Sequence, residues 1–129
     1  MAEWAITHTT RFRAAVAQAG HSDMFSLAGT TGGYRMFGSP YERRAVYDAH
    51  SPITFVREAR TPTLILHGER DAGVPVAQGY EFYHALKAQG VPTRMLVLPR
   101  QPHGPTEPRM QLAAMQANLD WFEKYLGGR

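Results

Sequence analysis

The chain has 129 residues, a length that fits one domain covering residues 1–129. Hydrophobic residues make up 43% of it and charged residues 19%, a balance that excludes an intrinsically disordered chain. The net charge of +3 comes from 14 basic and 11 acidic residues scattered along the chain, with no basic cluster among aromatics, so no nucleic-acid-binding surface is indicated.

The first part of the chain predicts a helix and then a short strand. Residues Ala2 to Thr7 have the apolar residues Trp4 and Ile6 but no preceding N-cap, so we expect the sequence to begin inside an element. The stretch from Arg11 to Gly20 has an apolar centre at Ala14 to Ala17 and ends in glycine, which favours a buried strand. Helix stays open as the alternative, because alanine favours it.

The next region predicts little regular structure. Residues His21 to Pro40 mix glycine, serine and threonine with large apolar side chains, so we expect a long irregular surface segment or lid. A short helix is predicted between Pro40 and Pro52, because the residue before a proline avoids helical backbone.

The second half of the chain predicts strand, helix, strand and helix. The continuous apolar run Leu64 to Leu66 is typical of a strand buried on both faces, and Met95 to Leu98 form another. The helix between them ends at Gly90. The last helix is predicted from a stripe formed by Met110, Ala113, Ala114, Ala117, Trp121 and Leu126. This alternation predicts an α/β fold with a parallel sheet flanked by helices.

An acid and an imidazole follow the two apolar strands. Asp71 lies in "TPTLILHGERDAGVP", and His103 lies 32 residues later in "LPRQPHGP". Because the carboxyl ends of parallel strands meet at one edge of a sheet, we expect the two side chains to lie close together. Either residue alone is more often a turn or loop residue. Together they predict an acid that orients a general base, in the order that α/β-hydrolases use.

The sequence around Asp71 and His103 resembles that of a known family. The stretch "TPTLILHGERDAGVPVAQGYEFYHALKAQGVPTRMLVLPRQPHG", with "WAITHTTRFRAAVAQAG" and "AHSPITFVREARTPT", resembles the catalytic domain of prolyl oligopeptidase family (S9) serine peptidases, in its C-terminal part. The acylaminoacyl-peptidase and dipeptidyl-peptidase branches are the most similar. The resemblance implies the C-terminal half of an α/β-hydrolase fold, with Asp71 as triad acid and His103 as base. It also implies hydrolysis of peptide or ester bonds through an acyl-enzyme, without metal or cofactor.

The nucleophile that this resemblance implies is not in the sequence. The family's serine lies in a Gly-x-Ser-x-Gly motif, which occurs nowhere in the 129 residues, so we expect it in a segment upstream of Met1. Ser22 is the best-placed substitute, because it follows the strand predicted near Ala17. A serine at such a place more often caps a helix or forms a turn.

Three functional hypotheses therefore stay open. The chain is a C-terminal fragment of a serine hydrolase, inactive or weakly active alone; or it is a non-catalytic α/β module that self-associates; or it is a weak esterase that uses Ser22 or water activated by His103. Because an unpaired strand edge invites pairing, we expect a homo-oligomer formed through the exposed edge of the sheet.

The cysteine and histidine content limits the kinds of metal site and cross-link that the chain can form. The chain has no cysteine, which excludes disulfides and thiolate zinc sites, and its six histidines include no His-x-x-x-His pair on a helix. His67 is expected to pack at a strand end. With no signal-peptide pattern and no apolar run long enough for a bilayer, we expect a cytoplasmic protein that acts on a peptide or small ester.

Overall fold

The structure, a computed structural model, describes residues 1–32 and 37–127. Its α-helices are α1 (Ala2–His8), α2 (Met24–Thr31), α3 (Arg44–Ala49), α4 (Val76–Ala88) and α5 (Pro108–Leu126). Its strands are β1 (Ala15–Gln18), β2 (Thr63–Gly68) and β3 (Thr93–Leu98). A 3-10 helix over Pro52–Glu58 connects α3 to β2.

The strands form one parallel sheet in the order β1-β2-β3. Gln18 pairs with Leu66, and Gly68 pairs with Leu98. All six residues of β2 are buried, as its continuous apolar run predicts for a central strand. The predicted α/β fold with a parallel sheet flanked by helices is confirmed, and the alanine-rich stretch of β1 is a strand.

The core has one layer on each face of the sheet, because successive residues of β2 point to opposite faces. Ile65 packs with Ile6 of α1 and with Phe82 and Leu86 of α4. On the other face Leu64 and Leu66 pack against α5, through Ala114, Ala117 and Trp121. The sheet is therefore held between α1 and α4 on one side and α5 on the other.

The prediction that His21 to Pro40 is irregular is wrong over α2. Asp23 caps this helix, since its Oδ1 accepts from the backbone N–H groups of Phe25 (2.8 Å) and Ser26 (3.1 Å). Met24 and Ala28 then bury one side of the helix in a cluster with Tyr47. The cap and this packing outweigh the low helix propensity of the glycine and threonine residues. Residues 33–36 of the predicted segment lie outside the described residues.

Helix α5 has a second apolar stripe besides the buried one. Leu126, predicted for the buried stripe, is exposed, and Tyr125 packs against the core instead. Side chains exposed by between 38% and 67% form a row with alternating spacings of three and four residues; they are Leu112, Met115, Leu119, Phe122 and Leu126.

Within the described ranges, no helix is long and apolar enough to cross a bilayer.

Candidate active site

The loop after β2 holds Asp71 with its side chain buried. Oδ1 of this carboxylate accepts from the backbone N–H groups of Gly73 (2.9 Å) and Val74 (2.7 Å). Such a turn, in which an aspartate bonds the backbone two and three residues on, fixes the side chain before α4 begins. The other oxygen, Oδ2, is thereby directed away from the turn.

The structure brings Asp71 and His103 together. Nδ1 of His103 donates to Oδ2 of Asp71 at 2.8 Å. The aspartate side chain is 0% exposed, and the histidine side chain is 64% exposed. A carboxylate only accepts hydrogen bonds, so the shared proton belongs to Nδ1, and in the neutral form of the ring Nε2 has the lone pair. The pair therefore has an oriented imidazole whose second nitrogen can take up a proton.

The loop that holds His103 is organised by a buried glutamine. Oε1 of Gln101 accepts from the N–H groups of Thr106 (2.9 Å) and Glu107 (3.1 Å). Its Nε2 donates to the carbonyl of Pro99 (3.1 Å) and to the Glu107 carboxylate (2.7 Å). Hydrogen bonds from Arg100 and Gln101 lower the pKa of Glu107 below its ordinary value. One side chain thus closes the loop just before α5, a role that its type and position in the sequence do not indicate.

The two loops cross at the end of β2. A Cβ at Gly68 would overlap the backbone oxygens of Pro102 and Gln101. The N–H of Arg70 donates to the Gln101 carbonyl (2.9 Å), and Oε2 of Glu69 accepts from the N–H of Arg100 (2.7 Å). The glycine permits this close approach, which sets the Asp71 loop beside the His103 loop.

Ser22 lies apart from this pair in its bonding. It is fully buried, and its hydroxyl donates to the carbonyl of Gln78 (3.0 Å) and to Oε2 of Glu81 (2.5 Å). In the described part of the chain, no hydrogen bond joins Ser22 to His103. This placement disfavours Ser22 as a nucleophile, since its lone pairs are enclosed and its proton is held by acceptors other than a catalytic base.

A pocket of about 220 Å³ adjoins the Asp71 turn. It is lined by His21, Met24, Leu27, Ala28, Thr31, Tyr47, Gly73 and Val74. Burial first, and then the positive charges of the N-terminus and of His103, lower the pKa of His21. The lining of the pocket is mainly apolar, with one imidazole whose neutral form is favoured by burial.

A second pocket, of about 290 Å³, also includes His21 and has Glu3 in its wall. Glu3 is buried, and burial raises the pKa of its carboxyl to about 7. Its Oε1 has no hydrogen-bond partner among the described residues, and it lies against Gly20. Sequence patterns gave no sign of this group, because α1 is too short to show which side is buried.

Side chains that could bind a metal ion do not cluster among the described residues. In the part of the chain that the structure describes, no group of three or more His, Cys, Asp or Glu side chains is placed to hold a metal ion.

Comparisons with known proteins identify relatives over the whole chain. The profile of the prolyl oligopeptidase family matches residues 1–129. The uncharacterized peptidase YuxL of Bacillus subtilis (strain 168) is 31% identical over 98% of the chain and 20% of its own length. The acylamino-acid-releasing enzyme of Mus musculus is 38% identical over 60% of the chain and 10% of its own length.

A solved structure agrees with these relatives. The puromycin-hydrolyzing peptidase of Mycobacterium tuberculosis superposes with a TM-score of 0.88 and 30% identity, covering 97% of this chain and 20% of that protein. The chain thus spans between about a tenth and a fifth of the length of the proteins it matches. The resemblance predicted from the sequence motifs is confirmed.

Proposed function

Because the chain belongs to the prolyl oligopeptidase family, we propose that it supplies the acid and the base of a serine hydrolase that cleaves peptide or ester bonds. The observation that carries this proposal is the 2.8 Å hydrogen bond from His103 Nδ1 to Asp71 Oδ2, which leaves Nε2 of a largely exposed side chain outside the bond. The nucleophilic serine comes from outside these 129 residues, which contain no Gly-x-Ser-x-Gly motif.

The pair acts by moving one proton. As the serine oxygen attacks the carbonyl carbon of the substrate, His103 Nε2 takes the serine proton and becomes an imidazolium, which the Asp71 carboxylate stabilises. The imidazolium then protonates the leaving amine or alkoxide, giving the acyl-enzyme. Water repeats the two transfers, releasing the acid and restoring the serine. Asp71 keeps the ring in the Nδ1–H tautomer throughout.

The adjoining pockets give the substrate side of the proposal. The pocket of about 220 Å³ touches Gly73 and Val74, whose N–H groups hold Asp71, and its other lining residues are mainly apolar. We expect it to receive an apolar side chain of a peptide. Two of the relatives are an acylamino-acid-releasing enzyme and a puromycin-hydrolyzing peptidase, which favours peptide bonds over esters as the substrate.

A chimaera tests this function. These 129 residues replace the matching fifth of the Mycobacterium tuberculosis puromycin-hydrolyzing peptidase, which supplies the other four fifths. We expect puromycin hydrolysis that is lost in His103→Ala and retained in His84→Ala, a matched control at an exposed histidine on α4. A folded chimaera that hydrolyses nothing, or one that still hydrolyses puromycin after His103→Ala, contradicts the proposal.

The alternative, a non-catalytic module that self-associates, is favoured by one observation. The apolar row on α5, from Leu112 to Leu126, is exposed in the chain alone. The outer edge of β1 is a further place for the predicted homo-oligomer. Light scattering on the 129-residue chain tests this: a concentration-dependent dimer that Leu119→Glu abolishes supports it, whereas a monomer at high concentration contradicts it. The single domain over residues 1–129 and the cytoplasmic location stay predictions.

A further inference from the structure

His67, the fifth residue of β2, is a buried side chain that the proton transfers above do not use. It is 1% exposed. Its Nε2 lies 2.8 Å from the backbone carbonyl of Val74. A carbonyl only accepts, so Nε2 carries the proton, and Nδ1 is bare. Nδ1 has no hydrogen-bond partner in the described part of the chain, and a Cβ at Gly79 would lie only 2.8 Å from it.

The bond from His67 reaches the residue that holds the catalytic acid. Val74 accepts from His67 through its carbonyl and donates through its N–H to Asp71 Oδ1 at 2.7 Å. Nε2 of His67 is also 3.6 Å from Asp71 Oδ2, the oxygen that accepts from His103. The central strand is therefore hydrogen-bonded to the Val74 end of the turn and lies close to the carboxylate at the other end.

The hydrogen bond from His67 to Val74 joins a strand residue to a loop residue. His67 belongs to the fully buried middle strand, whereas Val74 belongs to a loop. A strand residue is more precisely placed than a loop residue, so the hydrogen bond from His67 restricts the motion of the turn. The His67 ring is further confined by the close approach of Gly79, since no side chain at that position intervenes.

We propose that His67 is a positioning residue: by donating to the Val74 carbonyl it fixes the turn that directs Asp71 toward His103. This inference rests on the proposed function, because the orientation of Asp71 toward His103 matters for catalysis only if the two residues are the acid and the base. His67 itself touches neither the substrate nor the proton that is transferred.

Nuclear magnetic resonance on the 129-residue chain tests the inference. In His67→Gln the side-chain N–H lies near the position of Nε2 and can still reach the Val74 carbonyl. In His67→Asn the amide lies near the position of Nδ1 and cannot. The two readouts are the exchange rate of the Val74 amide, relative to that of Ile65 in the core, and the ¹⁵N shifts that report the tautomer of His103.

We expect His67→Asn to speed the relative exchange of the Val74 amide at least tenfold and to abolish the preference of His103 for the Nδ1–H tautomer. His67→Gln is expected to restore both. A merely structural role would lower stability and speed both amides together, leaving the tautomer of His103 in the folded state unchanged. His67→Leu is the second disrupting variant, for use if a buried asparagine prevents folding.

A folded disrupting variant with unchanged Val74 exchange and an unchanged His103 tautomer overturns the inference, as does a His67→Gln variant that behaves like His67→Asn. If neither disrupting variant folds, the His67→Gln variant decides, because loss of the tautomer preference there also overturns it, and retention supports it. None of these readouts needs hydrolysis. An inactive chimaera with the expected resonances would therefore refute the proposed function, not the positioning role.

Discussion

Gly68 and Pro102 approach each other so closely at the end of β2 that a Cβ on the glycine would overlap the proline carbonyl oxygen. The overlap involves backbone atoms, which cannot move aside as the end of a long side chain can. We expect Gly68→Ala to lower the free energy of unfolding by about 3 kcal/mol and to displace the His103 loop. Chemical denaturation and the amide resonances of residues 99–107 measure the two effects.

Gly29→Ala is the matched control. Gly29 lies inside α2, and a Cβ there would meet no atom within 4 Å. We expect this variant to be more stable than the parent by about 0.5–1 kcal/mol, because alanine favours helix over glycine. A Gly68→Ala variant as stable as the parent would show that the two loops are not in close contact.

Gln101→Leu is expected to loosen the base loop. Leucine of similar volume leaves the partly buried N–H groups of Thr106 and Glu107 without their acceptor, and losing these two hydrogen bonds costs about 1–3 kcal/mol. Thermal and urea unfolding measure this loss. Gln111→Ala, which removes an exposed amide that donates to the Pro105 carbonyl, is expected to change stability by less than about 0.5 kcal/mol. Equal effects of the two substitutions would contradict the role given to Gln101.

Glu3 makes stability depend on pH. Glu3 in the folded protein has a pKa of about 7, whereas in the unfolded chain its carboxyl loses the proton near the ordinary value of 4.5. The unfolded state therefore binds fewer protons in this range, and the contribution of Glu3 to stability falls as pH rises from about 4.5 to 7, by roughly 3 kcal/mol.

Glu3→Gln removes this dependence, and it is checked by measuring the unfolding free energy of the parent and of this variant as a function of pH. The difference in unfolding free energy between the parent and Glu3→Gln is expected to shift in favour of the variant as pH rises. His21, whose pKa is lowered, gives a slope of the opposite sign, but it is present in both proteins and cancels in the difference. A difference that stays constant from pH 4.5 to 8 would exclude a protonated buried Glu3.

Ser22 is expected to resist a fluorophosphonate label. Its hydroxyl is fully buried, so the reagent cannot reach it, and it donates to Gln78 and Glu81 instead of to His103. Mass spectrometry of the labelled chain should give no adduct on Ser22 beyond the level found in His103→Ala. An adduct that depends on His103 would restore the weak-esterase hypothesis.

The sequence predicted the sheet and the acid–base pair because both depend on strong local signals. Leu64 to Leu66 and Met95 to Leu98 are short continuous apolar runs, which favour strands, and parallel strands bring the residues that follow them to one edge. Asp71 and His103 therefore meet in the structure as the spacing predicts. Their catalytic roles stay predictions until the experiments above are done.

The groups that hold the pair could not be predicted in the same way. The burial of Gln101 and the close approach at Gly68 depend on which loops meet after folding. Helix α2 was missed because its stability comes from the Asp23 cap and from packing against Tyr47, not from the helix propensity of its residues.

The most direct test of the central claim is the effect of Asp71→Asn on kcat/KM for puromycin in the chimaera, with Asp120→Asn on the exposed side of α5 as the control. An asparagine at position 71 keeps the shape of the side chain but no longer holds the His103 ring in the Nδ1–H tautomer. We expect a loss of about 10³–10⁴-fold for Asp71→Asn and none for Asp120→Asn. A loss below tenfold in a folded Asp71→Asn chimaera would contradict the claim that Asp71 and His103 work as one acid–base pair.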